Sequence, residues 1–474
     1  MRLILKYLGF FLLLTSLLRI IPLISAIFFK ENLLWHFISI LAFALPGVLL
    51  LQIKLQKDKN NTFGITEAFA LTALSFILIS ILSATTFLPH TNYNFNDALF
   101  ESVSGFTTTG LSIFDNVELL PKSVLLWRAQ TQWIGGLGIV ILFLFMFDFL
   151  RSDKSNSSST NMKISSISNL FHANASIHKS DVSQRESITK TIQIYLMFTF
   201  GGFLLLWATG LSIFEALSIA FTAISTGGFS VTNSFYQNPF QLGIISLLMI
   251  LGATSYVFHQ KIFKKKFKEA FEKTQFRFFF LILFCFCAIA FMFLRDVKIV
   301  IFQIISSLTT TGFSITPHVE WILYPQMLIF LVMICMVIGG ATGSTAGGIK
   351  TYRIWLLLKS IPWKIKKLTS PPNAIIPLKI KGEAIDEESA LWTYVFFFAY
   401  ILFLSFGILM FMVMGFDFFN SSFQVFSALG TVGLQSMSLA TIPWVGKYIL
   451  MILMLLGRLE IFPLLILVYK IFKK

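Results

Sequence analysis

Long apolar blocks leave this chain few ways to fold. Stretches of about 20 or more apolar residues, enough at 1.5 Å rise per residue to cross roughly 30 Å of hydrocarbon, alternate with short polar or basic joints. Inside a bilayer every backbone N–H and C=O must be paired within the protein, so such blocks become helices. Of 474 residues, 56% are hydrophobic and only 12% charged, whereas soluble domains carry about 25% charged residues. A net charge of +15 would suggest nucleic acid in a soluble protein. Here Lys and Arg gather in joints such as residues 261–273 and 350–367, the pattern of loops retained on the cytoplasmic side. A dedicated lipid or RNA site is the alternative reading of these runs.

The blocks are ordered. Two spans come first, at 3–29 and 34–52; the first is too long for a signal segment, lacks a small-residue cleavage site and reads as a retained helix. A four-part pattern then recurs four times: a long apolar helix, a short half-helix, a Gly/Thr turn and a second long apolar helix. The first long helices are expected at 65–88, 191–209, 276–293 and 390–414, and the second at 125–150, 242–262, 322–360 and 445–472. This makes an all-α integral membrane fold of ten transmembrane helices with both termini cytoplasmic. Its divisions are the opening pair (1–60), unit one (61–150), a Ser/Asn-rich polar linker (151–190), unit two (191–274) and unit three (275–360). A second linker (361–388) carries Pro371-Pro372 and the acidic residues Glu383, Asp386, Glu387 and Glu388, and unit four (389–474) follows. Cys285 and Cys287, two apart on a helix, face different sides and with Cys335 read as packing residues.

The turns read SGFTTTGLS (104–112), AISTGGFS (223–230), SLTTTGFS (307–314) and SALGTVGLQ (427–435). Aligned on Gly110, Gly228, Gly312 and Gly433, each has a large apolar residue next (Leu111, Phe229, Phe313, Leu434). Each has a threonine two before the anchor (Thr108, Thr226, Thr310, Thr431) and a hydroxyl residue six before it (Ser104, Thr222, Ser306, Ser427). Thr109, Gly227, Thr311 and Val432 stand between. The anchors lie 118, 84 and 121 residues apart, room for two spans each, and four in register make a repeat. Irregular backbone at membrane depth is tolerated only where it lines a cavity, and glycine lets the backbone face where other residues resist. Half-helices of about ten residues, roughly 15 Å long, aim their negative C-terminal ends toward the membrane centre. Four such turns around one axis could replace the hydration shell of a cation, with threonine hydroxyls adding oxygens. Extracellular loops with helix caps are the alternative. Each turn, however, follows a segment too short to span and too apolar for a free loop.

Thr431-Val432-Gly433 is similar to the filter sequence of potassium channels. Together with Gln132-Trp133-x-Gly135-Gly136-x-Gly138, the run GGATGSTAGGIK (339–350), Pro372-Asn373-Ala374 and Gly457-Arg458-Leu459-Glu460, it resembles the Trk/Ktr/HKT superfamily of potassium transporters across essentially the whole chain. The opening helices, with Gly9 and Ile21-Pro22, resemble its TrkH branch. The resemblance implies four helix–pore-loop–helix units around a central pore, with the potassium ion as substrate at residues 108–110, 226–228, 310–312 and 431–433. It further implies a homodimer in the bacterial inner membrane and a cytosolic TrkA-type nucleotide-binding regulatory partner. Glycine at every anchor goes with potassium preference in that family, and serine at the first anchor with sodium in plant relatives. Two departures concern cytosolic coupling: the linker after Leu150 lacks a Pro-rich stretch, and LGATSYVF (251–258) replaces an Asn-containing Gly-rich turn.

Residues 339–348 carry enough glycine, each costing up to about 1 kcal/mol in a helix, to interrupt a span. Close packing through small residues is one reading. The resemblance implies instead a mobile obstruction beneath the turns, a gate of Gly339, Gly340, Gly343, Ser344, Thr345, Gly347 and Gly348 with Lys350 and Arg458. An unpaired Arg458 in an apolar helix would cost at least about 2.5 kcal/mol. Glu460, two residues on, faces another side, so Arg458 is expected to face an aqueous cavity beside the Gly-rich run and to oppose cation flow. Asp97, Glu101, Glu215 and Asp417 are expected near the outer mouth, attracting cations or capping helices. No catalytic constellation is legible, and no helix carries a cation at every third position as a voltage sensor would. Four turns rather than a repeat pair speak against a coupled carrier built on a broken helix.

Overall fold

Local capping chemistry starts each half-helix where a polar residue precedes an apolar run. In the computed structural model these helices are Phe95–Phe106, Ile213–Ile224, Val297–Leu308 and Phe418–Gly430, with N-caps Asn94, Ser212, Asp296 and Asp417. Each cap side chain accepts from a backbone N–H of the first turn, and Ser212 with Glu215 forms a reciprocal capping box. A long helix precedes each: Ile65–Phe87, Gln184–Ala208, Thr274–Phe291 and Glu387–Val413. The structure describes residues 2–53, 65–152, 184–271, 274–315, 321, 324–371, 374, 376–380, 383–385 and 387–473. Most of the polar linker (153–183), the basic joint at 54–64, and Pro372, Asn373 and Asp386 lie outside the described residues.

The second helices depart from expectation. Lys122–Ser152 is continuous, but Pro239–Ala253 and Tyr256–Phe263 meet at 101°, and Trp444–Arg458 and Phe462–Phe472 at 111°. The sequence reading runs a single helix through each of these breaks. Tertiary bonds override the local pattern. At the first break the carbonyls of Gly252 and Ala253 accept from Thr345 and Ala341 of the Gly-rich run. At the second, Glu460 and Ile461 hold φ of 57° and 64°, with the Glu460 carboxylate fixed by distant cations. In unit three, Gln326–Ile338 and Thr351–Leu368 are separated by the Gly-rich run itself.

The opening segment is two helices, Arg2–Leu18 and Ile20–Phe28, followed by Leu34–Leu51. Gly9 and Gly47 let this pair close: a Cβ on Gly9 would stand 2.9 Å from the Gly47 carbonyl oxygen. By length and apolarity alone, five helices among the described residues can cross a membrane, or seven if each bent pair is one span. A short antiparallel hairpin, Leu378–Ile380 with Glu383–Ile385, follows Thr351–Leu368. The half-helices form the buried centre, whereas Phe10, Leu17, Leu49, Phe200, Phe284, Phe398 and Leu409 are exposed on the long helices. An apolar exterior around a polar centre is the inside-out distribution a bilayer requires. Apart from that hairpin, the described residues make an all-helical membrane protein.

Candidate functional site

All four half-helices end on the same bonds. Thr108, Thr226, Thr310 and Thr431 donate their N–H groups to the carbonyls of Gly105, Ala223, Ser307 and Ala428 at 3.0–3.1 Å. The next residues, Thr109, Gly227, Thr311 and Val432, donate to Ser104, Thr222, Ser306 and Ser427 at 2.8–3.0 Å. This is the Schellman pattern, whose left-handed residue is usually glycine. Here it is threonine each time, at φ of 50°, 52°, 54° and 51°. A β-branched residue in that region is an outlier costing about 1–2 kcal/mol, and such strain concentrates at functional sites. Two residues on, the anchor glycines are also positive, at 88°, 79°, 86° and 98°.

The turns meet. A Cβ on Gly110 would overlap the carbonyl oxygen of Gly227, one on Gly228 that of Thr311, one on Gly312 that of Val432, and one on Gly433 that of Thr109. Each anchor touches the residue before the next unit's anchor, and the last returns to the first. The contacts close a ring. All four anchors line one cavity of about 160 Å³, with Ser112, Ser230, Ser314 and Gln435 two residues further on. The hydroxyls of Thr108 and Thr431 are buried without a hydrogen-bond partner. Among the described residues no group of three His, Cys, Asp or Glu could hold a metal ion. What the ring offers a cation is carbonyl and hydroxyl oxygen.

Polar side chains brace the ring from behind. Gln132, fully buried, donates to the Gly227 carbonyl at 2.7 Å and accepts from the Phe229 N–H at 3.0 Å. Glu101 and Arg128 form a buried ion pair at 2.7 Å. Ser306 donates to the Phe313 carbonyl at 2.7 Å, and Ser427 accepts from the Gly433 N–H at 3.0 Å. Glu101 therefore neither faces the outer mouth nor caps a helix, because Arg128 holds it inside. Asp97 pairs with Lys447 at 2.6 Å, while Glu215 and Asp417 serve as caps.

The Gly-rich run lies against the half-helix ends of the turns. Thr345 donates its N–H to Gly252 at 3.1 Å and its hydroxyl to the carbonyls of Ile224 and Gly252. Thr226 reaches the Thr345 hydroxyl at 3.2 Å, and Gly347 donates to the Thr310 hydroxyl at 2.7 Å. A Cβ on Gly347 would overlap the Thr431 hydroxyl. The run thus touches three of the four left-handed threonines. Gly339, Gly343 and Gly348 turn it with φ of 69°, 72° and 75°, Gly340 fits against Ala253, and Ser344 closes a turn onto Ala341. Arg458 donates to the Thr345 carbonyl at 2.6 Å and to Gly135 at 2.9 Å. It stands beside the run but is only 3% exposed, bonded to carbonyls rather than facing an aqueous cavity. Lys350, at the end of the run, pairs with Glu460 at 2.7 Å, and Arg353 binds the same carboxylate.

The TrkH family, described as cation transport protein, matches residues 36–474. The chain belongs to the TrkH family. It is 31% identical to an uncharacterized cation transporter of Methanocaldococcus jannaschii, over 98% of this chain and 94% of that one. It is 28% identical to the Trk system potassium uptake protein TrkH of Escherichia coli K12, over 98% of both chains. The crystal structure of the potassium transporter TrkH from Vibrio parahaemolyticus superposes with a TM-score of 0.85 at 25% identity, covering 100% of this chain and 99% of that one. Within this TrkH-family chain, the sequence reading left Arg128, Arg353 and Gln132 without a role. The available signal was the one applied to Arg458, a polar side chain inside an apolar helix.

Proposed function

We propose that this TrkH-family protein takes up potassium through the ring formed by residues 108–110, 226–228, 310–312 and 431–433. The single observation that carries the reading is closure of the ring: four anchors, each against its neighbour's carbonyl, with the same pair of positive-φ residues in every turn. Carbonyl oxygens held by a surrounding scaffold can replace the water that a permeating cation sheds. Potassium is favoured among cations because the relatives from Escherichia coli are potassium uptake proteins and each anchor here is glycine. An inside-negative potential supplies roughly 2.3 kcal/mol per charge per 100 mV, about a 50-fold accumulation, so uptake needs no enzyme chemistry.

Ten spans, an opening pair and two in each of four units, follow when Lys122–Ser152, Thr274–Phe291 and the interrupted pair of unit three are counted with the seven apolar spans. The Gly-rich run, with Lys350 and Arg458, is the gate, closing the pathway by sitting on the left-handed threonines. A homodimer in the bacterial inner membrane, both termini cytoplasmic, and a TrkA-type nucleotide-binding regulator on the basic side complete the reading.

The test is growth rescue of a potassium-uptake-deficient bacterium on low potassium, with Gly110→Ser alongside. A serine Cβ would overlap the Gly227 carbonyl at a φ of 88°, so the variant is expected to rescue poorly and to raise sodium sensitivity. Failure of the parent to rescue would remove the potassium assignment; equal rescue and sodium tolerance by both would remove the filter role of Gly110.

A further inference from the structure

The residue nine positions before each anchor lies in the half-helix behind its turn: Glu101, Ile219, Gln303 and Gln424. Only unit one places a charge there. Glu101 accepts from the Ser112 hydroxyl at 3.1 and 3.2 Å and from the Ile113 N–H at 3.1 Å, gripping the outer end of turn one. Gln303 makes the corresponding neutral bond to Ser314 at 2.9 Å. Gln424 has neither amide atom bonded, and Ile219 has nothing to offer. The four-part ring is braced unequally.

Arg128 carries the brace across units. Its Nε meets Glu101 at 2.7 Å, one terminal nitrogen donates to the Ser112 hydroxyl at 3.0 Å, and the other donates to the Ser230 carbonyl of turn two at 3.2 Å. Its guanidinium also lies 4.1 Å from the centre of the Phe229 ring. Glu101 and Arg128 are 0% and 1% exposed. A buried pair of this kind is weak evidence for stability, because desolvation offsets its attraction, and its best use is to fix one arrangement of groups. The pair is neutral overall, so its field on a nearby ion is small. Its effect on an ion passes through the positions of the oxygens it holds.

We propose that Glu101 and Arg128 are positioning residues that fix the spacing of turns one and two, and through it the preference of the ring for potassium over sodium. This rests on the function proposed above. A ring of oxygens separates two monovalent ions by site size and ligand field, and functional geometry must be held within about 0.5 Å. The corner braced by an ion pair bonded to both turns is where that tolerance is set.

The experiment measures potassium and sodium flux separately in vesicles holding the full-length protein, for the parent, Glu101→Gln, Arg128→Lys and the double Glu101→Gln/Arg128→Met. Glu101→Gln copies the amide of units three and four but strands a buried cation, so it risks misfolding. The double variant removes both charges together and keeps the fold. Arg128→Lys keeps the pair and loses the arm to Ser230. In the double variant the potassium-to-sodium flux ratio should fall about tenfold, the equivalent of losing one charge-assisted hydrogen bond, with Arg128→Lys intermediate. A merely structural role would lower both fluxes equally and leave the ratio within about twofold of the parent, and that result overturns the proposal. A parent that does not prefer potassium would instead overturn the function on which it rests.

Discussion

Replacing Arg458 by alanine should raise cation flux through the resting protein. The guanidinium holds the middle of the Gly-rich run by its 2.6 Å bond to the Thr345 carbonyl and anchors it to unit one by its 2.9 Å bond to Gly135. A hydrogen bond from a charged group contributes about 1.5–3 kcal/mol, but here the charge is buried and its desolvation cancels part of that gain. A net bias of about 2 kcal/mol toward the seated run remains, and its loss multiplies the unseated-to-seated ratio about 30-fold. An unseated fraction of about 1% would become about 20%. The assay is the initial rate of rubidium uptake into vesicles, per reconstituted molecule, with Arg458→Lys as a partner that keeps the charge and fewer donors. Alanine should give the larger rise and lysine an intermediate one. Basal flux equal to the parent's, in alanine protein that remains monodisperse, would refute the reasoning.

Other perturbations separate the run from the ring. Glu460→Gln leaves Lys350 and Arg353 buried beside a neutral amide, which should cost about 3–5 kcal/mol and show as a lowered melting temperature in detergent. Gly347→Ala drives a methyl into the Thr431 hydroxyl, so the run cannot seat; basal flux should rise without a change in ion preference, and a selectivity change would place the lesion in the ring. Gln132→Leu strands the Gly227 carbonyl and the Phe229 N–H, at about 1–3 kcal/mol, and should lower the potassium-to-sodium flux ratio while leaving the run in place.

Much of this site was legible in sequence because its parts are local. A turn needs its left-handed and glycine residues at set offsets, and Thr108, Thr226, Thr310 and Thr431 stand two before their glycines in the chain as in the fold. The Gly-rich interruption after Ile338 was legible for the same reason. The bends at Ser255 and at Glu460–Ile461 were not. No glycine stands within the second break itself, at 459–461, and an isoleucine at φ of 64° is disfavoured by its own chemistry. It is held there by contacts distant in sequence: Gly457 fits under the Leu429 carbonyl of its own unit's half-helix, and Glu460 answers to cations of unit three 110 and 107 positions away. Glu101 was misread for a related reason. A carboxylate in an outer half-helix looks solvent-facing until Arg128, on the next helix, is folded against it.

Charge balance around the Gly-rich run explains why run and ring should work against each other. Lys350, Arg353 and Arg458 surround it with a single carboxylate, Glu460, and all four are at most 4% exposed. That leaves two positive charges in excess among the described residues at this spot. The four half-helices end at the same place, and each C-terminus carries about half a negative charge, about two in total. With the run seated, the helix ends and the excess cations offset each other without any permeating ion. A monovalent cation entering the ring competes for the same helix ends. At an effective dielectric of about 20, a unit charge 10 Å away opposes it by roughly 1.7 kcal/mol. On the proposed reading of the run as a gate, ion occupancy and the seated run oppose one another, and Arg458 is expected to move with the backbone it holds when an ion enters.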